Sequence, residues 1–138
     1  MNLDRDKAEE AYINVSTSSK KNFLLAFHYL LVEQKRFLNI DLTLENIASE
    51  LHVSKGHLSR IINSHLGMSF NDYVNKLRVN EAKIYLNKMD LIAVDILNIA
   101  LKSGFNSKST FYASFKKLTG LTPYQFKNNG INESEMMT

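Results

Sequence analysis

Apolar residues recur along this chain at intervals of three and four, and no window shows sustained apolar/polar alternation. That pattern predicts an all-α fold. The first helix is expected from about Lys20 to Leu38, with a stripe of Phe23, Phe27, Leu30, Leu31, Phe37 and Leu38 interrupted by Gln34. Thr43 is a fitting N-cap for a second helix that has Glu45 in its first turn and Leu44, Ile47, Ala48 and Leu51 on one face. Beyond the junction His52-Val53-Ser54, a third helix starts behind a Ser54 cap. It buries Leu58, Ile61 or Ile62, and Leu66, then stops at Gly67. Ser69 caps a fourth, from about Phe70 to Lys88, carrying Phe70, Tyr73, Val74, Leu77, Ala82 and Leu86.

After Asp90 the same grammar returns. Ile47-Ala48 followed by His52-Val53 has its counterpart in Ile99-Ala100 followed by Gly104-Phe105. After a one-residue insertion the register holds at an offset of 53. It pairs Ser54 with Ser107, Leu58 with Phe111, Ile62 with Phe115, Gly67 with Gly120, Ser69 with Thr122 and Tyr73 with Phe126. Two copies are too few for a solenoid, so the better reading is a duplicated helix-turn-helix. Such a unit needs a small residue where its helices cross, and Ala48 and Ala100 supply one. Its turn needs a residue tolerant of positive φ, then an apolar plug: His52 and Val53 in the first unit, Gly104 and Phe105 in the second. The second helices would then turn polar faces outward, Lys55, Gly56, Ser59, Arg60 and Asn63 in one, Lys108, Ser109, Tyr112, Ala113 and Lys116 in the other. The intervening helix, about 27 Å long for 18 residues, is compatible with major-groove faces about 34 Å apart on one side of B-DNA.

Composition narrows the classes. The chain has 138 residues, no Cys and one Pro, so neither a disulfide framework nor a thiol nucleophile is available. No apolar run approaches the length of a membrane span, and the charged N-terminus lacks a signal-peptide pattern. A cytoplasmic location is therefore expected. Net charge is only +3, but it is segregated. Residues 1–19 hold four acids against two bases, whereas residues 96–130 hold Lys102, Lys108, Lys116, Lys117 and Lys127 with no acid. That distribution suggests a basic face for a polyanion. His28, His52, His57 and His65 lack zinc-site spacing, and no phosphate loop or nucleophile elbow is present. No enzyme, metal or cofactor is expected. A helical protein-interaction module is the alternative; it would show an exposed apolar stripe on each second helix.

The ordered set Leu58-Ser59-Arg60, Gly67, Ser69-Phe70, Tyr73, Arg78, Ala82 and Leu86, followed by Ile99-Ala100, Gly104-Phe105, Ser107, Ser109, Phe111, Phe115-Lys116-Lys117, Gly120, Thr122-Pro123 and Phe126-Lys127, resembles the AraC/XylS-type transcriptional regulators over about residues 22–128. The resemblance implies two helix-turn-helix lobes joined by a long helix, about seven helices in all. The first helix-turn-helix would span about 44–66, the linking helix about 70–88 and the second helix-turn-helix about 95–118, within a domain of 20–129. Residues 1–19 are expected to be a tail or linker remnant, and residues 130–138 a disordered tail. Double-stranded DNA is the implied partner, with RNA polymerase a second, and the usual role is activation.

Candidate base contacts are Gly56, Ser59, Arg60 and Asn63 in the first lobe and Ser109, Tyr112 and Ala113 in the second. Candidate phosphate contacts are Ser54, Lys55, Ser107, Lys108, Lys116, Lys117 and Thr122. The family commonly carries a basic residue at the position of Ala113, which shifts sequence reading toward the first lobe. Many relatives also carry a sensing or dimerisation domain. No small-molecule effector is expected within this chain, which reads as a stand-alone member or an excised DNA-binding domain.

Overall fold

A computed structural model describes residues 20–88 and 95–129; the expected tails at 1–19 and 130–138 lie outside the described residues. Among the described residues all regular structure is helical. The α-helices are α1 (Lys20–His28), α2 (Leu44–Glu50), α3 (Lys55–Leu66), α4 (Phe70–Lys88), α5 (Ile96–Lys102), α6 (Lys108–Thr119) and α7 (residues 123–129). The chain divides into two compact units, with the boundary inside α4 between Val74 and Asn75.

The single helix expected from Lys20 to Leu38 is instead broken. α1 runs on into a π turn at Tyr29–Glu33, and the chain then reverses before a 3₁₀ turn at Arg36–Leu38. The break falls at the polar interruption, Gln34, and the next residue, Lys35, adopts left-handed φ 54°. The reversal still buries Phe37, and it carries Arg36 to Glu50 on α2, with Nη1 donating to both carboxylate oxygens at 3.1 Å. Arg36 Nη2 also donates to Gln34 Oε1, and Gln34 Nε2 to Tyr29 Oη, so one polar chain staples the reversal to α2.

In the first unit Phe23, Phe27, Leu30, Leu31, Ile47, Ala48, Leu51, Leu58, Phe70 and Val74 are buried together with both Ile61 and Ile62. The Phe27 ring lies 6.3 Å from Phe70 and 5.8 Å from Tyr73. In the second unit Val79, Ala82 and Leu86 of α4 pack with Ile96, Ile99, Ala100, Phe105, Phe111 and Phe115. Fully burying each of the larger side chains among these contributes about 1.5–3 kcal/mol. Phe111 sits at the centre, 5.3 Å from Phe105 and 5.6 Å from Phe115, and Phe115 meets Phe126 edge-on at 5.5 Å.

The repeat read from the sequence is repeated in the main-chain bonding. Val53 N–H donates to Ala48 C=O at 3.0 Å, and Phe105 N–H donates to Ala100 C=O at 2.9 Å. His52 takes φ 58° and Gly104 φ 98° at matching positions of the two turns. Gly67 and Gly120 then close α3 and α6 at φ 68° and 77°, donating to Asn63 and Lys116. The extra residue of the second unit, Asn106, lies between plug and cap, where its Oδ1 accepts from Thr110 Oγ1 at 3.3 Å.

Candidate nucleic-acid interface

Each second helix is fixed at both ends. Ser54 Oγ accepts from the His57 amide at 3.1 Å, and Ser107 Oγ accepts from the Thr110 amide at 3.2 Å. A cap of this kind is worth about 1 kcal/mol. It also fixes the helix start, and with it the angular position of every outward side chain. On α3, Leu58, Ile61 and Ile62 face the core, which leaves Lys55, Gly56, Arg60 and Asn63 exposed and Ser59 half-buried. Arg60 Nη1 lies 3.7 Å from where a β-carbon on Gly56 would sit. Asn63 Nδ2 donates to the Ser59 carbonyl at 3.0 Å, so its amide lies back along the helix.

On α6, Phe111 and Phe115 are buried, while Lys108, Ser109, Ala113, Lys116 and Lys117 are exposed. Tyr112 is half-buried against the aromatic core, its ring 6.2 Å from Phe111. Burial, then the neighbouring Tyr124, pushes its phenol above the ordinary tyrosine range. Ser109 Oγ lies 3.2 Å from Ser107 Oγ, which is also 2.9 Å from Thr110 Oγ1, forming a hydroxyl cluster at the start of the helix. Thr122 caps α7 in a reciprocal box. Its Oγ1 accepts from the Gln125 amide at 3.2 Å while its own amide donates to Gln125 Oε1 at 2.9 Å.

The structure therefore gathers Ser54, Lys55, Gly56, Ser59, Arg60 and Asn63 on one helix, and Ser107, Lys108, Ser109, Tyr112, Ala113, Lys116 and Lys117 on the other. Thr122 lies apart from both, as a cap.

The basic face read for residues 96–130 is smaller than its five lysines suggest. Lys127 is only 8 % exposed, its stem covered in the second unit. Lys102 is exposed on α5, its Nζ 6.0 Å from the centre of the Tyr85 ring. Arg78 lies 5.9 Å over the Phe105 ring, and burial lowers its pKa below the usual arginine value. Lys108, Lys116 and Lys117 remain as the exposed lysines of α6.

From the sequence, Glu45 is placed only in the first turn of α2. In the structure its Oε1 lies 2.7 Å from Lys55 Nζ, and the ammonium holds its carboxyl below the ordinary glutamate range. The readable signal was an acid near the start of the first helix of the unit and a base at the start of the second.

Among the described residues no group of three or more His, Asp or Glu side chains could hold a metal ion, and no helix is long and apolar enough to cross a membrane. What the two units define is a pair of helix-turn-helix modules of one design. Residues 47–129 match the helix-turn-helix domain family. The chain is 39 % identical over 92 residues to PqrA of Proteus vulgaris, a probable transcription factor, covering 67 % of this chain and 73 % of that protein. It is 38 % identical over 87 residues to YtdP of Bacillus subtilis (strain 168), an uncharacterized helix-turn-helix-type transcriptional regulator. That match spans 63 % of this chain but only 11 % of the relative's length. Its fold is similar to the crystal structure of a Chromobacterium violaceum transcriptional regulator of the proteins containing an AraC-type DNA-binding domain. The TM-score is 0.56 at 28 % identity, over 63 % of this chain and 75 % of that one. The chain belongs to the AraC-type helix-turn-helix regulators.

Proposed function

We propose that this chain binds double-stranded DNA in a sequence-dependent manner, with α3 and α6 each entering a major groove, and regulates transcription. The observation that carries the reading is the duplicated unit. Each copy holds a capped second helix whose inner side is core and whose outer side is polar and basic. An α-helix fits the major groove and presents its outward side chains to base edges. Gly56, Ser59, Arg60 and Asn63 are the residues we assign to base reading in the first unit, and Ser109, Tyr112 and Ala113 in the second. Ser54, Lys55, Ser107, Lys108, Lys116, Lys117 and Thr122 are assigned to phosphates, whose contacts set orientation rather than sequence. α4, 19 residues long, joins the two units and would allow adjacent grooves to be used by one chain.

Activation through RNA polymerase and a cytoplasmic location complete the proposal. The interaction-module reading calls for an exposed apolar stripe on each second helix, whereas among the described residues α3 exposes no large apolar side chain and α6 exposes Leu118 alone, near its C-terminal end. Selection from a randomised duplex pool, followed by gel-shift titration of the recovered sequence against a scrambled one, tests the proposal directly. Recovery of a consensus with two separated half-elements is expected. An unenriched pool overturns it.

A further inference from the structure

Lys55 is the first residue of α3 and the base at the leading edge of its polar face, yet in the free protein its ammonium is occupied. Glu45 Oε1 sits at 2.7 Å, with the two side chains 58 % and 61 % exposed at the glutamate and lysine respectively. Both line an open cleft of about 400 Å³ shared with Thr43, Ser59, Ser69 and Asn71. Its rim is polar and it is open to solvent, so an anionic oxygen can reach Lys55 without displacing the core.

We infer that Glu45 is a built-in competitor for DNA phosphate, holding Lys55 in the free protein and lowering the affinity for every duplex alike. The inference rests on the DNA-binding reading above. A solvent-exposed ion pair is weak, whereas a phosphate that replaces it also releases condensed counterions. DNA therefore wins the exchange, but its binding is reduced by the pair it must break and by the carboxylate left beside the backbone. Because phosphates carry no sequence information, the reduction is uniform and leaves discrimination between sites unchanged.

The test compares wild type, Glu45→Gln, Lys55→Gln and the double variant by fluorescence anisotropy on the selected duplex and a scrambled one. The titrations are repeated across a salt series, with thermal unfolding confirming that each variant folds. Glu45→Gln should tighten binding to both duplexes by about two- to fivefold at low salt and steepen the log affinity against log salt plot by up to about one unit. On the Lys55→Gln background the gain should vanish. An undiminished gain on that background reduces Glu45 to a distant repulsive charge and overturns the inference, as does a folded Glu45→Gln that binds no tighter. Wild-type protein that binds no duplex at all overturns the DNA-binding reading as well, whereas binding that ignores Glu45 overturns this inference alone.

Discussion

Arg60 Nη1 stands 3.7 Å from the position of a β-carbon on Gly56, one helical turn before it on the same outward face. The missing side chain leaves the guanidinium unobstructed at the N-terminal side of α3, and the separation is an ordinary van der Waals contact. Gly56→Ala therefore fits without strain and should stabilise the fold by about 0.5–1 kcal/mol, since glycine is a poor helix residue. Urea unfolding of the two proteins checks this. Arg60→Ala should leave stability within about 0.5 kcal/mol, as expected of an exposed side chain. It should weaken binding to the selected duplex by about 1–3 kcal/mol and relax preference at one or two base pairs. Gel-shift titrations against single-base variants of that duplex read both effects. Unchanged affinity and preference would remove Arg60 from the base-reading set.

The two units should divide the work unequally. α6 presents Lys108 and Lys116 to solvent but only a methyl at Ala113. Replacing both lysines with Ala should flatten the salt dependence of log affinity by up to about two units. Cognate and scrambled duplexes should lose affinity by similar factors, whereas Arg60→Ala should penalise the cognate duplex more. A double lysine variant that loses discrimination but keeps its salt slope would reverse the assignment.

The paired turns give a stability prediction independent of DNA. His52 bears a side chain at φ 58°, where its repeat partner Gly104, at φ 98°, has none. His52→Gly should raise stability by up to about 1 kcal/mol, the left-handed strain relieved less the extra chain entropy of glycine. Gly104→Ala should lower it by about 1–2 kcal/mol. Thermal melts of the two variants should shift in opposite directions.

Removing the caps should separate folding from binding. Ser54→Ala and Ser107→Ala each lose a hydroxyl that holds the third amide of a second helix, at about 1 kcal/mol apiece. Asp at either position would restore the cap while placing a negative charge beside the proposed phosphate contacts. Ser107→Asp should therefore keep wild-type stability and still bind duplex DNA more weakly, as calorimetry and anisotropy together would show.

The duplicated architecture was readable because its signals are local: a hydroxyl before each helix, a small residue at each crossing, a left-handed residue in each turn, glycine after each second helix. Each favours a particular local geometry or close approach, so Ser54, Ala100, Gly104 and Gly120 could be placed from short stretches of sequence and the repeat between them. The reversal at Gln34–Lys35 was not readable in the same way. Lys35 has no local preference for φ 54°; burial of Phe37 and the Arg36–Glu50 pair, both outside Lys35 itself, hold it there. The acid and base of the Glu45–Lys55 pair were both visible ten positions apart, but they meet only once the turn folds the second helix against the first. Lys127 looked like surface charge because sequence registers its ammonium, while the fold covers its methylene stem.

The hydrogen bond that closes each turn, from Val53 to Ala48 and from Phe105 to Ala100, runs between peptide groups, beside the apolar plug and the small residue packed there. None of these groups belongs to the outward positions of α3 and α6, so the junction does not depend on what those positions display. Residues 56, 59 and 60 can then drift under selection without renegotiating the scaffold, much as type is changed in a fixed frame. A combinatorial library at those three positions, with Ser54 and Gly67 retained, should stay folded across most of its members and yield variants with new duplex preferences.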